Sequence, residues 1–577
     1  MTNFYRDNKD MLFHMKNMDI KRIIDLKEND FKKNPNDKNN TPEAPQDYAD
    51  ALDNYDRVLE IVGDICGNYI APRAPQVDLE GATFKDGKVT YAKGTAEAIE
   101  RLKKADLFGF TIPREYGGLN MPKIVYSMAI EMVSRADASL MNIFGLQDIA
   151  DTIFKFGSEE QKENYLPRFC TGEVMGSMAL TEPDAGSDLQ AAMLKAYQDD
   201  AGQWRLNGVK RFITNGLAEI SLVMARSEDG STDGRGISLF VYEREANMMI
   251  RRIEHKLGIH GSPTCELQFN HAPAELLGRR KFGLIKYTMS LMNGARLGIA
   301  AQSLGIAEAA YAEADNYARK RIQFKSVIFK FAPVYEMLTD MRVTLEGMRT
   351  LLYETSRIVD IKEGLEEKGE KHPELAQDLK TETSRYTKLA GLYTPIAKYF
   401  NTEWGNKICY DALQIHGGVG YTTEFNIERH CRDVRITNIY EGTTQLQVVA
   451  AIGGITSGLI FERLNEYESM HQIDSLEKTF QQIKEMRNTL ELAVAIVKKA
   501  DSAEVLDFQA GRLVNMTSDI IVSYLLCIDA LKSDRKKKVA EIFISKAITR
   551  VKANFEFIER KDYTIIENHK NILNEHD

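Results

Sequence analysis

The sequence predicts a mainly helical protein with a β domain in its middle, and three observations point there. Apolar residues recur at helical spacing on both sides of a central stretch. That stretch is written in short β-branched and aromatic runs cut by Asn-Gly and Asp-Gly pairs. At 577 residues the chain is also too long for one hydrophobic core, so several packed units are expected.

Residues 1–46 read as an N-terminal arm followed by a linker, because KNPNDKNNTPEAPQ is polar and Pro-rich. Residues 47–172 read as a helical domain. Tyr55, Val58, Leu59 and Val62 form one stripe, Ile124, Met128 and Met132 another, and Pro113 with Gly117-Gly118 break the pattern between helices. Residues 173–283 hold the runs WRLNGVKRFITNG, ISLVMAR, GISLFVYER and CELQFNH. No helical pattern intervenes, which predicts antiparallel strands rather than βαβ units. Helical spacing returns over residues 284–454, interrupted by the charged run IKEGLEEKGEKHPE, read as a solvated helix end or loop. Residues 455–577 form an additional helical domain. Leu476, Phe480, Ile483, Leu490, Val494 and Val497 share one face, as do Leu513, Met516, Ile520, Tyr524 and Cys527. Such stripes are expected to pack on other helices rather than on a membrane.

Composition narrows the function. The net charge of -9 disfavours a general nucleic-acid binder, which needs a surplus of clustered cations, although a local basic pocket remains compatible. DRKKK, residues 534–538, is the only dense basic run in the tail and reads as a solvated face. The six cysteines form no C-x-x-C pair, so neither a metal site nor a disulfide framework is expected, only reduced and mostly buried thiols. The N-terminus lacks an apolar core and mixes Asp with Lys, unlike a secretory or transit segment. No window approaches 18 consecutive apolar residues, so no transmembrane segment and a cytoplasmic location are expected.

The chemistry sits in ordered motifs. MALTEPDAGSD, Met178 to Asp188, is a loop rich in hydroxyls and small residues around a Pro183-Asp184-Ala185-Gly186 turn. Thr181 and Ser187 can donate there to a cofactor, but alone the segment is equally well a β-turn with capping hydroxyls. KRFITNG (Lys210 to Gly216) and KLGIHGSPTCEL (Lys256 to Leu267) are expected on strands. RIQF (Arg321 to Phe324), QIHGGVG (Gln414 to Gly420) and IYEGTTQLQ (Ile439 to Gln447) are expected on or beside helices. QIHGGVG follows a helix, so it is no Rossmann fingerprint, yet its backbone N–H groups can hold a phosphate. His416 within it reads as a structural histidine.

Taken in order from about Asp47 to Gly454, these motifs resemble the acyl-CoA dehydrogenase family. With the arm and tail, the chain is similar to the enlarged bacterial branch that includes the methylthiopropionyl-CoA dehydrogenases. The resemblance implies an N-terminal helical domain, a β-barrel-like middle domain and a C-terminal four-helix bundle, with FAD in the cleft between them. It implies that Met178, Leu180, Thr181 and Ser187 line the flavin and pyrophosphate, with Phe212 and Thr214 at the flavin's other edge. Arg321 and Gln323 would reach the neighbouring subunit's FAD, and Gln414, Gly417 and Gly418 its adenosine-phosphate end. Thr443 and Gln445 are implied as further cofactor contacts, and Ser187, Arg296 and Gly442 as substrate contacts.

The implied reaction removes an α-proton from an acyl-CoA thioester while a β-hydride leaves for flavin N5. It needs one carboxylate in a desolvated cleft, its pKa raised, and donors on the thioester oxygen where enolate charge develops. In the family those donors are the base's own backbone N–H and a ribityl hydroxyl of FAD. Tyr440-Glu441-Gly442-Thr443 matches the segment that carries the base, so Glu441 is the expected catalytic residue. The alternative base position in the family, just before the equivalent of Arg296, holds Ala295, which cannot act. Two departures fall at the subunit-crossing contact: Lys325 replaces the usual Gly after R-x-x-F, and Phe331-Ala332 stand where a polar side chain is common.

The family further implies electron-transferring flavoprotein as the oxidant, in fatty acid β-oxidation. Many of its shorter members are tetramers built from pairs of dimers. Here the tail needs a bundle face to cover, which predicts a homodimer. Two alternatives remain open: an acyl-CoA oxidase that uses oxygen, and a non-catalytic binding or assembly relative. Acyl chain length is not encoded legibly; the helix near Leu140 to Ile153 is the expected pocket wall or plain core.

Overall fold

The computed structural model describes residues 2–32 and 41–574, so most of the polar linker lies outside the described residues. By their contacts the residues fall into two compact units. One comprises residues up to Tyr317 with Gly405–Glu441, the other Ala318–Trp404 with the chain from Gly442 onward.

In the first unit the N-terminal segment is not a loose arm. Asn8 caps the helix Lys9–Asn17 by accepting from the N–H groups of Asp10 and Met11, and a second helix follows over Lys21–Lys27. Tyr5, Met11, Ile23 and Ile24 are buried. The segment lies on the helix Tyr48–Asp64, where Phe4 N–H donates to the Gly63 carbonyl at 3.1 Å. A Cβ at Gly63 would come within 2.7 Å of the Tyr5 backbone, so the close approach requires glycine there. The stripe Tyr55, Val58, Leu59 and Val62 is buried as its spacing predicts. The helix Lys123–Ala136 is instead buried almost all round, so Ile124, Met128 and Met132 are part of a fully enclosed helix.

The β domain of this unit is a seven-stranded sheet that closes on itself. Ile220–Arg226 pairs with Ile237–Glu243, which pairs with the end of Thr264–Leu277. That long strand pairs with Trp204–Thr214, and the latter with Lys195–Gln198. A bridge from Lys195 to Arg226 completes the ring. Alternation along the strands feeds two cores. Leu222, Met224, Leu239 and Val241 face Ile149, Ile153, Tyr165 and Phe169, while Val223, Ala225, Phe240 and Tyr242 fill the other side. Both faces are covered, which is why ISLVMAR reads as a continuous apolar run. The expectation of purely antiparallel strands needs correction. Gly176–Ala179 lies parallel to Ile220–Arg226, and the Lys195–Arg226 bridge is parallel too. Intervening strands, rather than a helix, make the crossover.

In the second unit the helix Ala332–Lys371 runs straight through most of the charged run expected to interrupt it, burying Ile361 and Leu365. The tail packs on this helix. A Cβ at Gly347 would meet Val522 at 2.8 Å, and the Phe400 and Phe543 rings lie 6.4 Å apart. Buried ion pairs accompany the apolar contact: Glu354 with Arg463 at 2.5 Å, and Glu346 with Lys536 at 2.9 Å. The reading of DRKKK as a solvated face holds for four of its five residues and is corrected at Lys536. Lys536 is buried and Arg535 also bonds Glu346, while Lys537 and Lys538 are exposed. Leu513, Met516, Ile520, Tyr524 and Cys527 are buried, but so is nearly every side of their helix, Ala503–Ala530. By its length and the composition of an 18-residue window this helix is apolar enough to cross a membrane, contrary to the sequence expectation. In the fold 89% of that window is buried against neighbouring helices.

Candidate active site

Two motifs meet in the first unit. The strand Gly176–Ala179 leads into the MALTEPDAGSD loop, and Lys210 in KRFITNG donates to the Leu180 carbonyl and to Glu182, both at 2.8 Å. The next residue, Arg211, donates its N–H to the Thr181 carbonyl at 2.9 Å. Glu182 in turn accepts from the N–H groups of Met193 and Leu194. Its own backbone closes on Ala185 at 3.2 Å in both directions, so the turn is Glu182–Ala185, one residue earlier than the sequence suggested. Lys210 is fully buried, and burial pulls its pKa down to about 8 even though Glu182 opposes that shift. Leu180, Thr181 and Phe212 are thus brought together. Phe212 adopts φ +61° and leaves 51% of its surface exposed, unusual for an aromatic residue on a strand. Met178 and Leu180 pack on the core between sheet and helices, and Thr181 and Thr214 are half-buried.

The segment that carries Glu441 is anchored from the side of Tyr440. The Tyr440 hydroxyl donates to Gln302 in a short contact and faces Asn142 at 3.2 Å. Gln302 donates to Asn142 at 2.9 Å and to the Ala138 carbonyl at 3.0 Å. Burial, and then the Glu441 charge, hold the Tyr440 phenol far above its usual range. Glu441 itself has φ +54°, a left-handed conformation that costs a residue with a Cβ, and Gly442 follows at +89°. Arg296 is 7% exposed and bonds Asn293 at 3.1 Å, while its buried Nε has no hydrogen-bond partner. Burial lowers its pKa and the Glu441 charge opposes that, so the two side chains are electrostatic neighbours.

A third motif joins this segment from below. The N–H of Ile259, in KLGIHGSP, donates to Asp433 at 2.5 Å. A Cβ on Gly258 would fall 2.6 Å from the same carboxylate, which explains the glycine. Ile259 is itself a β-branched residue at φ +50°. Burial pushes the Asp433 carboxyl up to about 7 from its ordinary 3.8. A carboxyl with a raised folded pKa keeps its proton in the fold after the unfolded chain has lost it. Its contribution is therefore greatest in acid and declines as pH rises from about 4 to about 7. Asp433→Asn keeps the acceptor oxygen and should flatten that decline in Tm. An unchanged slope in the variant would locate the dependence elsewhere.

The Gln414 to Gly418 turn ends the helix Ala376–His416. Gln414, Gly417 and Gly418 are exposed, Gly417 has φ +64°, and a Cβ on either glycine would meet nothing within 4 Å. His416 is buried, bonds the Ala412 carbonyl at 2.8 Å and stacks on Tyr317 at 4.6 Å, as a structural histidine should. Ser187 is exposed on its loop. The contacts that tie Leu180, Thr181 and Phe212, and those that tie Arg296, Tyr440 and Glu441, do not include these residues.

In the second unit Arg321 and Gln323 sit on an exposed hairpin, Ile322–Gln323 paired with Ser326–Val327. Its turn residues Phe324 and Lys325 have φ +48° and +63°, the two positive values of a type I′ turn. This gives the family's glycine a physical reason, and Lys325 takes the same conformation without that freedom. Phe331 packs its ring 6.2 Å from Phe324 and so belongs to the hairpin. Gly442 and Thr443 are half-buried and Gln445 is exposed at the start of the helix Thr444–Thr456, where Thr443 makes no side-chain cap. The Gly442 carbonyl accepts from Lys398 at 2.7 Å and from Gln447 at 2.9 Å.

Sequence reasoning missed Asn142, Gln302, Lys398, Gln447, Lys210 and Asp433. For Gln302 and Lys398 the available signal was a lone polar residue inside an apolar helical run, IAAQSLGIA and TPIAKYF. All six cysteines are free and five are buried, as expected. Among the described residues no group of His, Cys, Asp and Glu could hold a metal ion.

Comparison with known proteins identifies the family. The acyl-CoA dehydrogenase N-terminal domain matches residues 53–173, the middle domain 177–272 and the C-terminal domain 285–452. A further family, acyl-CoA dehydrogenase C terminal, matches residues 456–564. The chain belongs to the acyl-CoA dehydrogenase family: it is an oxidoreductase acting on acyl-CoA, with FAD as cofactor. It is 35% identical to the 3-methylmercaptopropionyl-CoA dehydrogenase of Ruegeria pomeroyi over 442 residues, covering 71% of this chain and 72% of that one. A solved chain described with the electron transferring flavoprotein of Acidaminococcus fermentans is 31% identical, TM-score 0.59, covering 69% of this chain and 96% of that chain. An acyl-CoA dehydrogenase of Bacillus anthracis solved with FAD shares the fold at TM-score 0.74 and 23% identity over 89% of each chain. The residues fit a flavin nucleotide. Phe212 exposes its ring beside the Leu180–Thr181 backbone, and Gly417 and Gly418 are exposed with open space beside them.

Proposed function

We propose that the protein converts an acyl-CoA to its trans-2-enoyl-CoA, with Glu441 taking the α-proton. The observation that carries this reading is Glu441 held at φ +54° between an anchored Tyr440 and Gly442, beside the buried Arg296. Glu441's carboxylate accepts the proton, and its backbone N–H is a donor for the thioester oxygen as enolate charge develops. Arg296 is the cation neighbouring that carboxylate, and its implied contact with the CoA part belongs to the same proposal. Ala295 offers no competing base. Leu180, Thr181, Phe212 and Thr214 hold the flavin edge, with Met178 and Ser187 along the same loop, and Gln414, Gly417 and Gly418 take a phosphate end. FAD, when bound, supplies the acceptor for the β-hydride.

Electrons then pass to electron-transferring flavoprotein, as befits fatty acid β-oxidation. The likeness to the Acidaminococcus chain supports this choice over oxygen. Acyl-CoA should turn over at a sustained rate only when that carrier is present. Hydrogen peroxide formed in step with turnover, without any carrier, would make the protein an acyl-CoA oxidase instead. The assembly we propose is a homodimer in which Arg321 and Gln323 serve the neighbour's FAD. The hairpin that bears them exposes Ile322 at 61% and Phe324 at 91%, apolar surface that a second copy would cover.

A further inference from the structure

We infer that Lys398, with Gln447, is a positioning residue for the base; this rests on the assignment of Glu441 above. Both side chains are 0% exposed, and both donate to one oxygen, the Gly442 carbonyl, at 2.7 and 2.9 Å. A carbonyl has two lone pairs, so these two donors occupy both. One of them is a buried ammonium, which makes the bond charge-assisted and strongly directional.

The carbonyl they hold belongs to the residue that follows Glu441. Glu441 and Gly442 form consecutive left-handed residues, a conformation that a Glu leaves readily unless its surroundings enforce it. Tyr440 is fixed on one side through Gln302 and Asn142. On the other side the orientation of the Gly442 carbonyl sets that residue's ψ. Holding the Gly442 carbonyl thereby orients the residue bonded directly to Glu441, from which the carboxylate and the N–H project. Lys398 touches neither substrate nor flavin in this scheme. Its effect is on how often Glu441 occupies the productive geometry.

The test measures anaerobic flavin bleaching by acyl-CoA in the FAD-loaded, full-length protein. Lys398→Met keeps the straight side chain and removes the donor and the charge. It should retain full FAD content and bind acyl-CoA within about threefold of wild type, while bleaching slows about 100-fold, the scale of a small misplacement of a reacting group. Gln447→Met should slow bleaching about 10-fold in the same pattern, and it carries the test should Lys398→Met fail to fold. Combined with Glu441→Gln, either change should add nothing to the loss caused by Glu441→Gln alone. If Glu441→Gln bleaches at the wild-type rate, the base assignment fails and this inference falls with it. If Glu441→Gln is inactive but both donor variants bleach normally, the inference alone is wrong. It is equally wrong if they slow only in proportion to lost FAD and lowered Tm.

Discussion

Glu441→Gln should bind FAD and acyl-CoA as the wild type does and yet lose bleaching of its flavin by about 10⁴-fold, the upper range for removing a general base. The amide keeps the size and the left-handed backbone of the residue, and the Tyr440 and Gly442 anchors are untouched. What disappears is the ability to accept a proton. The neutral amide also removes the charge that Arg296 faces. Arg296 is buried with its Nε unpaired, so modest destabilisation should accompany the loss of rate. Stopped-flow absorbance under anaerobic acyl-CoA separates the two effects. Bleaching at near wild-type rate would place the base elsewhere, and Ala295 cannot supply it.

A chain cut before Ile455 should lose its solubility or form a larger assembly. The helices beyond that point cover Gly347 and Phe400 with Val522 and Phe543, and they neutralise Glu346 and Glu354 through Lys536 and Arg463. Cutting them away uncovers an apolar face and leaves Glu346 without its lysine partner and Glu354 without Arg463. Each carboxylate keeps an arginine, Arg342 for Glu346 and Arg357 for Glu354, so the uncovered apolar face drives the expected association. Light scattering coupled to size exclusion reads the outcome. The full-length protein should run as a dimer with FAD bound. A full-length monomer carrying FAD would refute the shared cofactor site. A full-length tetramer would show that the face the tail covers is not the one through which shorter relatives pair. A truncated chain that stays a well-behaved dimer would show that the tail covers nothing essential.

The fold class was legible because its carriers are periodic. Tyr55, Val58, Leu59 and Val62 repeat at helical spacing, and ISLVMAR is a short apolar run among Asn-Gly and Asp-Gly turn signals, a strand in the fold. The site was legible where residues stand in contiguous motifs, as with Tyr440-Glu441-Gly442. It was illegible where one side chain reaches across the fold. Lys210 reaches Leu180 thirty positions away and Lys398 reaches Gly442 across forty-four. Nothing in the local pattern around either lysine reports its partner. The packing of the N-terminal arm was illegible for a related reason: Asn8 caps a helix and Gly63 lets Tyr5 settle against its neighbour. Within DRKKK only the burial of Lys536 was illegible, since the buried Glu346 that recruits it lies far back in the sequence.

The central claim is that this chain takes two hydrogens from an acyl-CoA thioester. A single anaerobic turnover of the FAD-loaded protein on acyl-CoAs from four carbons to long-chain tests it most directly, with flavin absorbance and product mass followed together. At least one substrate should bleach the flavin and lose two hydrogens, as trans-2-enoyl-CoA, in the same time course. Bleaching without an enoyl product, or no reaction with any member of the series, would contradict it.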